Sequence, residues 1–144
     1  MPVIKAFDLA YGRIRSPDLD KQEEFLTDFG MVRADRTKNA LYMRGSDPPH
    51  HIHVTELGEP RYVGIAVHAA SYEDLERMSR VEGASKIEDI DEPGGGKRVR
   101  LTDPDGYQVE VVHACDQSLR SRLWADSLAR SRQARGVPDR FRHG

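Results

Sequence analysis

Leu101-Thr102-Asp103-Pro104-Asp105-Gly106-Tyr107-Gln108-Val109-Glu110-Val111-Val112 is the stretch that decides the fold. It predicts two strands joined by a tight turn at Asp103–Gly106, because Pro presets φ, Asp caps its own backbone and Gly adopts positive φ. In the second strand, Gln108, Glu110 and Val112 share one face. A carboxylate inside a mostly apolar strand must be paired, hydrated or bound to a metal. Glu110 is therefore the first candidate functional residue.

Two segments that precede this hairpin predict a matching pair of helices. Ser16 can cap the first helix, with Pro17 at its first position and Gly30 at its end. Ser71 can cap the second helix, which Gly83 closes. The two caps lie 55 residues apart, and each helix follows one alternating segment and precedes about three more. This pattern predicts a duplicated βαβββ unit.

The repeat predicts one α+β domain over residues 1–115, built from modules at about 4–57 and 58–114. A chain of 144 residues is long enough to bury one core of this kind. The predicted strands are the alternating segments around the two helices: 9–15, 31–36, 40–44 and 51–55 in the first module, and 62–68, 86–90, 97–102 and 107–113 in the second.

Amino-acid composition and charge indicate the cellular location of this domain and exclude some classes of partner. The single cysteine, Cys115, excludes a disulfide within the chain and favours a reduced, cytoplasmic location. No apolar run approaches membrane-spanning length, so no membrane partner is expected. Residues 116–144 carry seven Arg and three Asp, a net charge of +4, against −6 for the rest. We predict a linker or packing arm there, and not a nucleic-acid site, because the segment lacks interleaved aromatic residues.

The two units and the closing Asp-Pro-Asp-Gly-x-x-x-Glu hairpin resemble the vicinal oxygen chelate superfamily. That group contains glyoxalase I, bleomycin-resistance proteins and extradiol ring-cleaving dioxygenases. The resemblance covers about residues 4–114, and the helix ending Phe25-Leu26-x-x-Phe29-Gly30 is similar to the superfamily as well. It implies two βαβββ modules in a cup-shaped, mostly antiparallel sheet, with helices outside and a divalent metal inside the cup.

The resemblance also implies where metal ligands would lie, since the superfamily takes them from the first and fourth strands of each module. By position these are Glu110 and His53, which would hold Fe2+, Mn2+, Ni2+ or Zn2+. The other two positions fall on Gly64, which has no side chain, and Tyr11, whose phenol is protonated near neutral pH. His51, on the face predicted for His53, or His68, further along the strand from Gly64, could substitute. The resemblance therefore implies an incomplete metal site, with no metal at all as the close alternative.

Three functions follow from the resemblance and stay open at this point. The chain is most similar to the N-terminal domain of a two-domain extradiol dioxygenase of aromatic catabolism, a copy that has lost its metal. It could also be a metal-free small-molecule binder of the bleomycin-resistance type, or a metal-dependent lyase of the glyoxalase type. An active enzyme would be a metal-dependent dioxygenase or lyase, but no catalytic residue is assigned.

The ligand implied by this resemblance is a small aromatic molecule, and the implied assembly is a homodimer. Tyr11, Arg13 and His51 are the candidate substrate-binding residues on the cup face. Without a metal, a buried Glu110 beside Arg13 or His53 would be an ordinary ion pair. Gly94-Gly95-Gly96-Lys97 lacks the Ser or Thr of a phosphate loop, so we predict a flexible loop at the rim of the cup.

Overall fold

The computed structural model describes residues 2–47 and 49–113, without the side chain of Phe7. The predicted element order is confirmed, with boundaries shifted by one to three residues at several ends. The elements are β1 (Ala6–Ser16), α1 (Leu19–Asp28), β2 (Val32–Arg36), β3 (Ala40–Arg44), β4 (His53–Leu57), β5 (Arg61–Ala69), α2 (Tyr72–Ser79), β6 (Glu88–Asp89), β7 (Lys97–Thr102) and β8 (Gln108–His113).

All eight strands form one sheet in the order β2-β3-β4-β1-β5-β8-β7-β6. Within each module the first and last strands pair in parallel, β1 with β4 and β5 with β8. The modules join through an antiparallel pair at the centre, where Arg13 lies opposite Gly64 and Tyr11 opposite Ala66. The predicted α+β class, with two βαβββ modules in a mostly antiparallel sheet, is therefore confirmed.

Both helices pack on the same face of this sheet. Leu26 of α1 packs in a buried cluster with Met43 of β3, and Leu75 of α2 packs with Val111 of β8. We call the opposite face of the sheet the open face. It carries a separate cluster of buried residues: Ala10, Tyr11, Ala40, Tyr42, Val54, Ala66, Ile90 and Val112. Strands β3 and β8 contribute alternate residues to the two faces, as Met43 and Val111 on the helix side and Tyr42 and Val112 on the open face show.

The local signals at the helix ends are confirmed in part. Gly30 follows the end of α1 with φ of 104°, and the Ser71 hydroxyl accepts a hydrogen bond from the backbone N–H of Asp74 at the start of α2. The predicted cap at Ser16 is wrong. Because β1 continues through Ser16, helix α1 begins later, and Asp18 caps it by accepting from the N–H of Lys21.

Three further expectations concern the end of helix α2, membrane-spanning helices and the C-terminal arm. Helix α2 ends at Ser79 with Arg80 as its C-cap, so Gly83 lies beyond the helix and does not close it. The described part of the chain contains no helix with the length and apolarity needed to cross a bilayer. The predicted arm at 116–144 lies outside the described residues.

Candidate functional site: a charged cluster and an adjoining cavity

The register of the central strands brings Arg13 and Glu110 together from opposite modules. Arg13 of β1 lies opposite Gly64 of β5, and Ala66, two residues further along β5, lies opposite Glu110 of β8. Gly64 and Ala66 leave little side-chain volume on this face of β5. The Arg13 side chain can therefore cross β5 and reach the carboxylate on the far side.

Arg13 donates to three carboxylates from three separate parts of the chain. Its Nη1 atom lies 2.9 Å from Glu56 Oε1, and its Nη2 atom lies 2.9 Å from Glu92 Oε2 and 3.4 Å from Glu110 Oε2. Only 4% of the Arg13 side chain is exposed. Burial alone would lower the pKa of Arg13, but Glu110 and Glu92 raise it above its usual value. Arg13 is therefore a buried permanent cation.

Arg98 of β7 is a second cation, and it contacts two of these three carboxylates, Glu92 and Glu110. Its Nη1 atom lies 2.9 Å from Glu110 Oε1 and 3.3 Å from Glu92 Oε1. Both oxygens of Glu110 therefore contact guanidinium groups, and its side chain is only 2% exposed. Burial tends to raise the pKa of Glu92, but Arg13 and Arg98 outweigh it and lower that pKa. We call Arg13, Glu56, Glu92, Arg98 and Glu110 the charge cluster.

A cavity adjoins the charge cluster on the open face, and Glu92 belongs to both. Its volume is about 40 Å³, enough for a few waters at roughly 10–15 Å³ each. Gly94 and Gly95 form one wall, with φ of 93° and 55°. Such backbone angles favour glycine. The remaining lining residues are Ala10, Tyr11, Pro49, His50, His51, His68, Ile90 and Pro93.

His51 provides a half-buried neutral imidazole at this cavity. Its ring centroid lies 5.1 Å from that of Tyr11 and 5.1 Å from that of Tyr42, and its Nδ1 lies 2.9 Å from Nδ1 of His50. Burial, and then the neighbouring His50, lower the pKa of His51 to about 4. Burial also raises the pKa of Tyr11. Both rings are thus uncharged at neutral pH.

Four of the five predicted site residues lie on the open face. Tyr11, Arg13 and Glu110 lie together there, with the Arg13 guanidinium carbon 5.4 Å from the Tyr11 ring centroid. The His51 ring also contacts the Tyr11 ring. The structure therefore brings these residues together, while their roles in binding stay predictions.

His53 does not lie with Glu110, and the expectation that it faces into the cup is wrong. Strand β4 begins at His53, which pairs with Met43 of the helix side and with Gly12. Its Nε2 atom lies 3.0 Å from the hydroxyl of Thr55. A shift of one residue in a strand moves a side chain to the other face, so Val54 occupies the open face instead.

Sequence reasoning missed three members of the charge cluster, Glu56, Glu92 and Arg98. Arg98 alternates with buried Val99 in a strand that pairs with β8, and this alternation was a usable signal. Glu56 follows from the correct phase of β4, two residues after Val54. Glu92 lies outside the strands, and only its position beside the glycine loop could have indicated it.

The residues at the expected metal position do not fit a divalent ion. Both Glu110 oxygens contact arginines, and a Cβ atom added at Gly64 would lie 1.8 Å from the carbonyl oxygen of Gln108. Glycine is therefore required there, and no ligand side chain can replace it without a backbone shift. Among residues 2–47 and 49–113, no three His, Cys, Asp or Glu side chains are grouped so as to hold a metal.

Comparisons with known proteins agree with this geometry at the level of the fold. The structure matches a Mn(II)-bound glyoxalase from Novosphingobium aromaticivorans with a TM-score of 0.71 and 23% identity, over 78% of this chain and 40% of that one. It matches an extradiol ring-cleaving dioxygenase from Brevibacterium fuscum with a TM-score of 0.70 and 23% identity, over 88% and 37% of the two chains. The chain has the vicinal oxygen chelate fold.

Sequence comparison also finds a similar protein. The chain is 28% identical over 116 residues to a metapyrocatechase from Geobacillus stearothermophilus, a match that covers 76% of this chain and 36% of the relative. No family model matches the sequence. The chain spans well under half the length of the relatives named above.

Proposed function

We propose that this chain is a metal-independent vicinal oxygen chelate domain, related to extradiol ring-cleaving dioxygenases, that binds a small aromatic molecule beside Tyr11. The observation that carries the proposal is the double contact on Glu110. Arg98 and Arg13 occupy the two carboxylate oxygens, so the one strong ligand candidate of the fold is already neutralised by protein. Ring cleavage by this domain alone is therefore not expected.

The cavity supports the binding part of the proposal. Small-molecule sites are typically concave and mostly apolar, with a few polar groups that orient the ligand. Here Ile90 and Pro93 supply apolar surface, while Tyr11, His51 and Glu92 supply polar groups. An aromatic ring needs more room than the cavity offers. We therefore propose that the wall at 93–95 moves outward when the ligand enters.

The length of the relatives supports a role as one part of a larger catalytic unit. The match to metapyrocatechase covers 36% of that protein, and we propose that this chain corresponds to its N-terminal domain. A solved relative is a homoprotocatechuate 2,3-dioxygenase in complex with 3,4-dihydroxyphenylacetate. We propose a ligand of similar aromatic character here, and a homodimer as the assembly.

The first test is metal retention by the 144-residue chain. The protein is purified anaerobically, incubated separately with Fe2+, Mn2+, Ni2+ or Zn2+, desalted and analysed for metal. We expect less than about a tenth of an equivalent, because the ligands that a stable site requires are missing. Near-stoichiometric retention that is lost in Glu110→Ala would contradict the proposal and indicate an enzyme in its own right.

The second test is ligand binding in the presence of a chelator, measured by calorimetry with catechol. Ile90→Trp should fill the cavity and weaken binding at least about tenfold. Ile65→Trp is the matched control, since Ile65 is 36% exposed and pairs with Gly12 on the helix side of the sheet. Equal affinity in the two variants would contradict binding at this cavity.

A further inference from the structure

The helix side of the sheet has an exposed apolar strip at its centre. Helix α1 packs on β2, β3 and β4, and helix α2 packs on β5, β7 and β8, so β1 lies between the two helices. Leu9 of β1 lies opposite Val67, which packs on the helix-side cluster, and Gly12 lies opposite Ile65. Leu9 is 58% exposed and Ile65 is 36% exposed. A Cβ atom at Gly12 would meet no described atom within 4 Å, so the space above these two pairs is open.

Two stacked phenylalanines of α1 form a wall beside this strip. The rings of Phe25 and Phe29 lie 6.3 Å apart, and the residues are 62% and 78% exposed. Glu23 of the same helix pairs with Arg33 of the edge strand β2. Phe25 follows Glu23 by two residues, which is about 200° around the helix, so it lies on the flank toward β4 and β1. We call this surface the central trough: Leu9, Gly12, Phe25, Phe29, Ile65 and Val67.

The end of β8 brings the rest of the chain close to the central trough. The Nδ1 atom of His113 lies 3.4 Å from the carbonyl oxygen of Ala69, which pairs with Ala6 at the start of β1. The chain therefore leaves the sheet at the Leu9 end of β1 and two strand spacings from it, roughly 10 Å. The C-terminal arm, residues 116–144, begins three residues after His113. Even at the helical rise of 1.5 Å per residue, it could span roughly 43 Å.

The composition of the C-terminal arm complements the surroundings of the trough. Its net charge is +4, and it contains the apolar residues Leu119, Leu123, Trp124 and Leu128. Helix α1 has four acidic residues and one lysine, a net charge of −3, and α2 has three acidic residues and one arginine, a net charge of −2. A basic segment is therefore attracted to the trough by the two helices that flank it. Its apolar residues would cover a surface that is costly to leave in water.

We infer that the C-terminal arm docks in the central trough of its own chain, with Trp124 and the leucines on Leu9 and Phe29. The arginines of the arm then lie toward the acidic helices. The inference goes beyond the proposed function, because the trough and the ligand cavity are on opposite faces of the sheet. Loss of docking would therefore leave the cavity intact.

Trp124 provides the test, because it is the one tryptophan of the chain. Acrylamide quenching of its fluorescence, excited selectively over tyrosine, reports how far the indole is shielded in the full 144-residue chain. We expect the quenching constant of the native protein to be several-fold lower than that of the same protein unfolded in urea.

Leu9→Lys should undo this shielding. It places a cation in the trough, where it would be buried without a partner and would repel the arginines, so the quenching constant should rise at least about twofold. Val32→Lys is the matched control, because Val32 is also 58% exposed but lies on β2 at the far edge of the sheet. It should leave the quenching constant at the wild-type value.

Phe29→Lys is a second variant in case Leu9→Lys does not fold, which far-UV circular dichroism shows. Phe29 is the more exposed of the two residues, and its replacement should also raise the quenching constant at least about twofold. Wild-type Trp124 that is quenched as strongly in the native protein as in urea overturns the inference. So does a folded Leu9→Lys or Phe29→Lys that shields Trp124 as well as wild type does. Shielding that is lost when the protein is diluted would assign the arm to a second copy and overturn docking within one chain.

Discussion

Two glycines on neighbouring central strands should respond to the same substitution with opposite signs. Gly64 of β5 and Gly12 of β1 both lie in the middle of the sheet, on opposite faces. A Cβ atom at Gly64 would lie 1.8 Å from the carbonyl oxygen and 2.7 Å from the carbonyl carbon of Gln108, whereas a Cβ atom at Gly12 would meet nothing within 4 Å. Neither residue has the positive φ that disfavours alanine.

The size of the Gly64→Ala effect follows from the distance that must open. Real Cβ contacts are essentially never shorter than 3.0 Å, so β5 and β8 must separate by roughly 1.2 Å at this point. Overpacking costs about 1–3 kcal/mol, and one weakened ladder hydrogen bond adds about 1 kcal/mol. We expect a loss of about 3 kcal/mol for Gly64→Ala. Gly12→Ala should instead stabilise by about 0.4–1 kcal/mol, by restricting the unfolded chain.

Urea denaturation followed by far-UV circular dichroism measures both free energies of unfolding. The predicted difference between the two variants is about 3–4 kcal/mol, well outside the uncertainty of the extrapolation. A Gly64→Ala protein within about 0.5 kcal/mol of wild type would refute the reasoning, since such small changes are ordinary for surface sites. The argument that position 64 cannot carry a metal ligand would then fail with it.

Two other predictions concern the charge cluster and the cavity. Glu110→Gln should lower the free energy of unfolding by about 3 kcal/mol, because it leaves the buried Arg13 and the half-buried Arg98 short of a counter-charge. A loss below about 1 kcal/mol in urea denaturation would contradict this. The pKa of His51 is depressed to about 4 in the folded protein. The stability that its neutral ring contributes is therefore complete above pH 6.5, and about 3 kcal/mol of it is lost as the pH falls toward 4. His51→Asn should reduce the fall in stability between pH 6.5 and pH 4. An unchanged pH profile of the free energy of unfolding would contradict the assignment of this fall to His51.

The local features of the fold could be predicted because they depend on neighbours in sequence. The turn after β7 is an example, since the Asp103 carboxylate accepts from the N–H groups of Asp105 and Tyr107, and Gly106 has φ of 90°. Each of these roles is fixed by residue type at a given turn position. The same reasoning located most strands to within a few residues.

The phase of β4 could not be predicted from alternation alone. The pattern His51-Ile52-His53-Val54-Thr55 is compatible with either face, and the choice depends on where pairing begins. Residue 52 accepts a hydrogen bond from Gly12, but the strand itself starts at His53. A strand-start error of one residue exchanges the faces, and His53 was misplaced for this reason.

The spacing of residues along the chain could not show which carboxylates contact Arg13. Glu92 and Glu110 lie 79 and 97 residues away along the chain. They meet Arg13 only because the sheet order puts β5 and β8 beside β1, and because Gly64 and Ala66 leave the path between them open. The sequence could identify Glu110 as a carboxylate that needs a counter-charge and could name Arg13 and His53 as candidates for it, but it could not choose between them; the structure shows Arg13 in contact with Glu110.

Glu110 shows why a strand-internal carboxylate is an ambiguous signal. A metal ion and a guanidinium both offset the cost of burying the charge, so the carboxylate is compatible with either. The ambiguity is resolved at the Arg13–Gly64 pair of the central strands. Gly64 removes a ligand position and leaves space, and Arg13 crosses that space to supply the positive charge. These two residues therefore act as one feature, and together they determine that the open face is neutralised from within the chain.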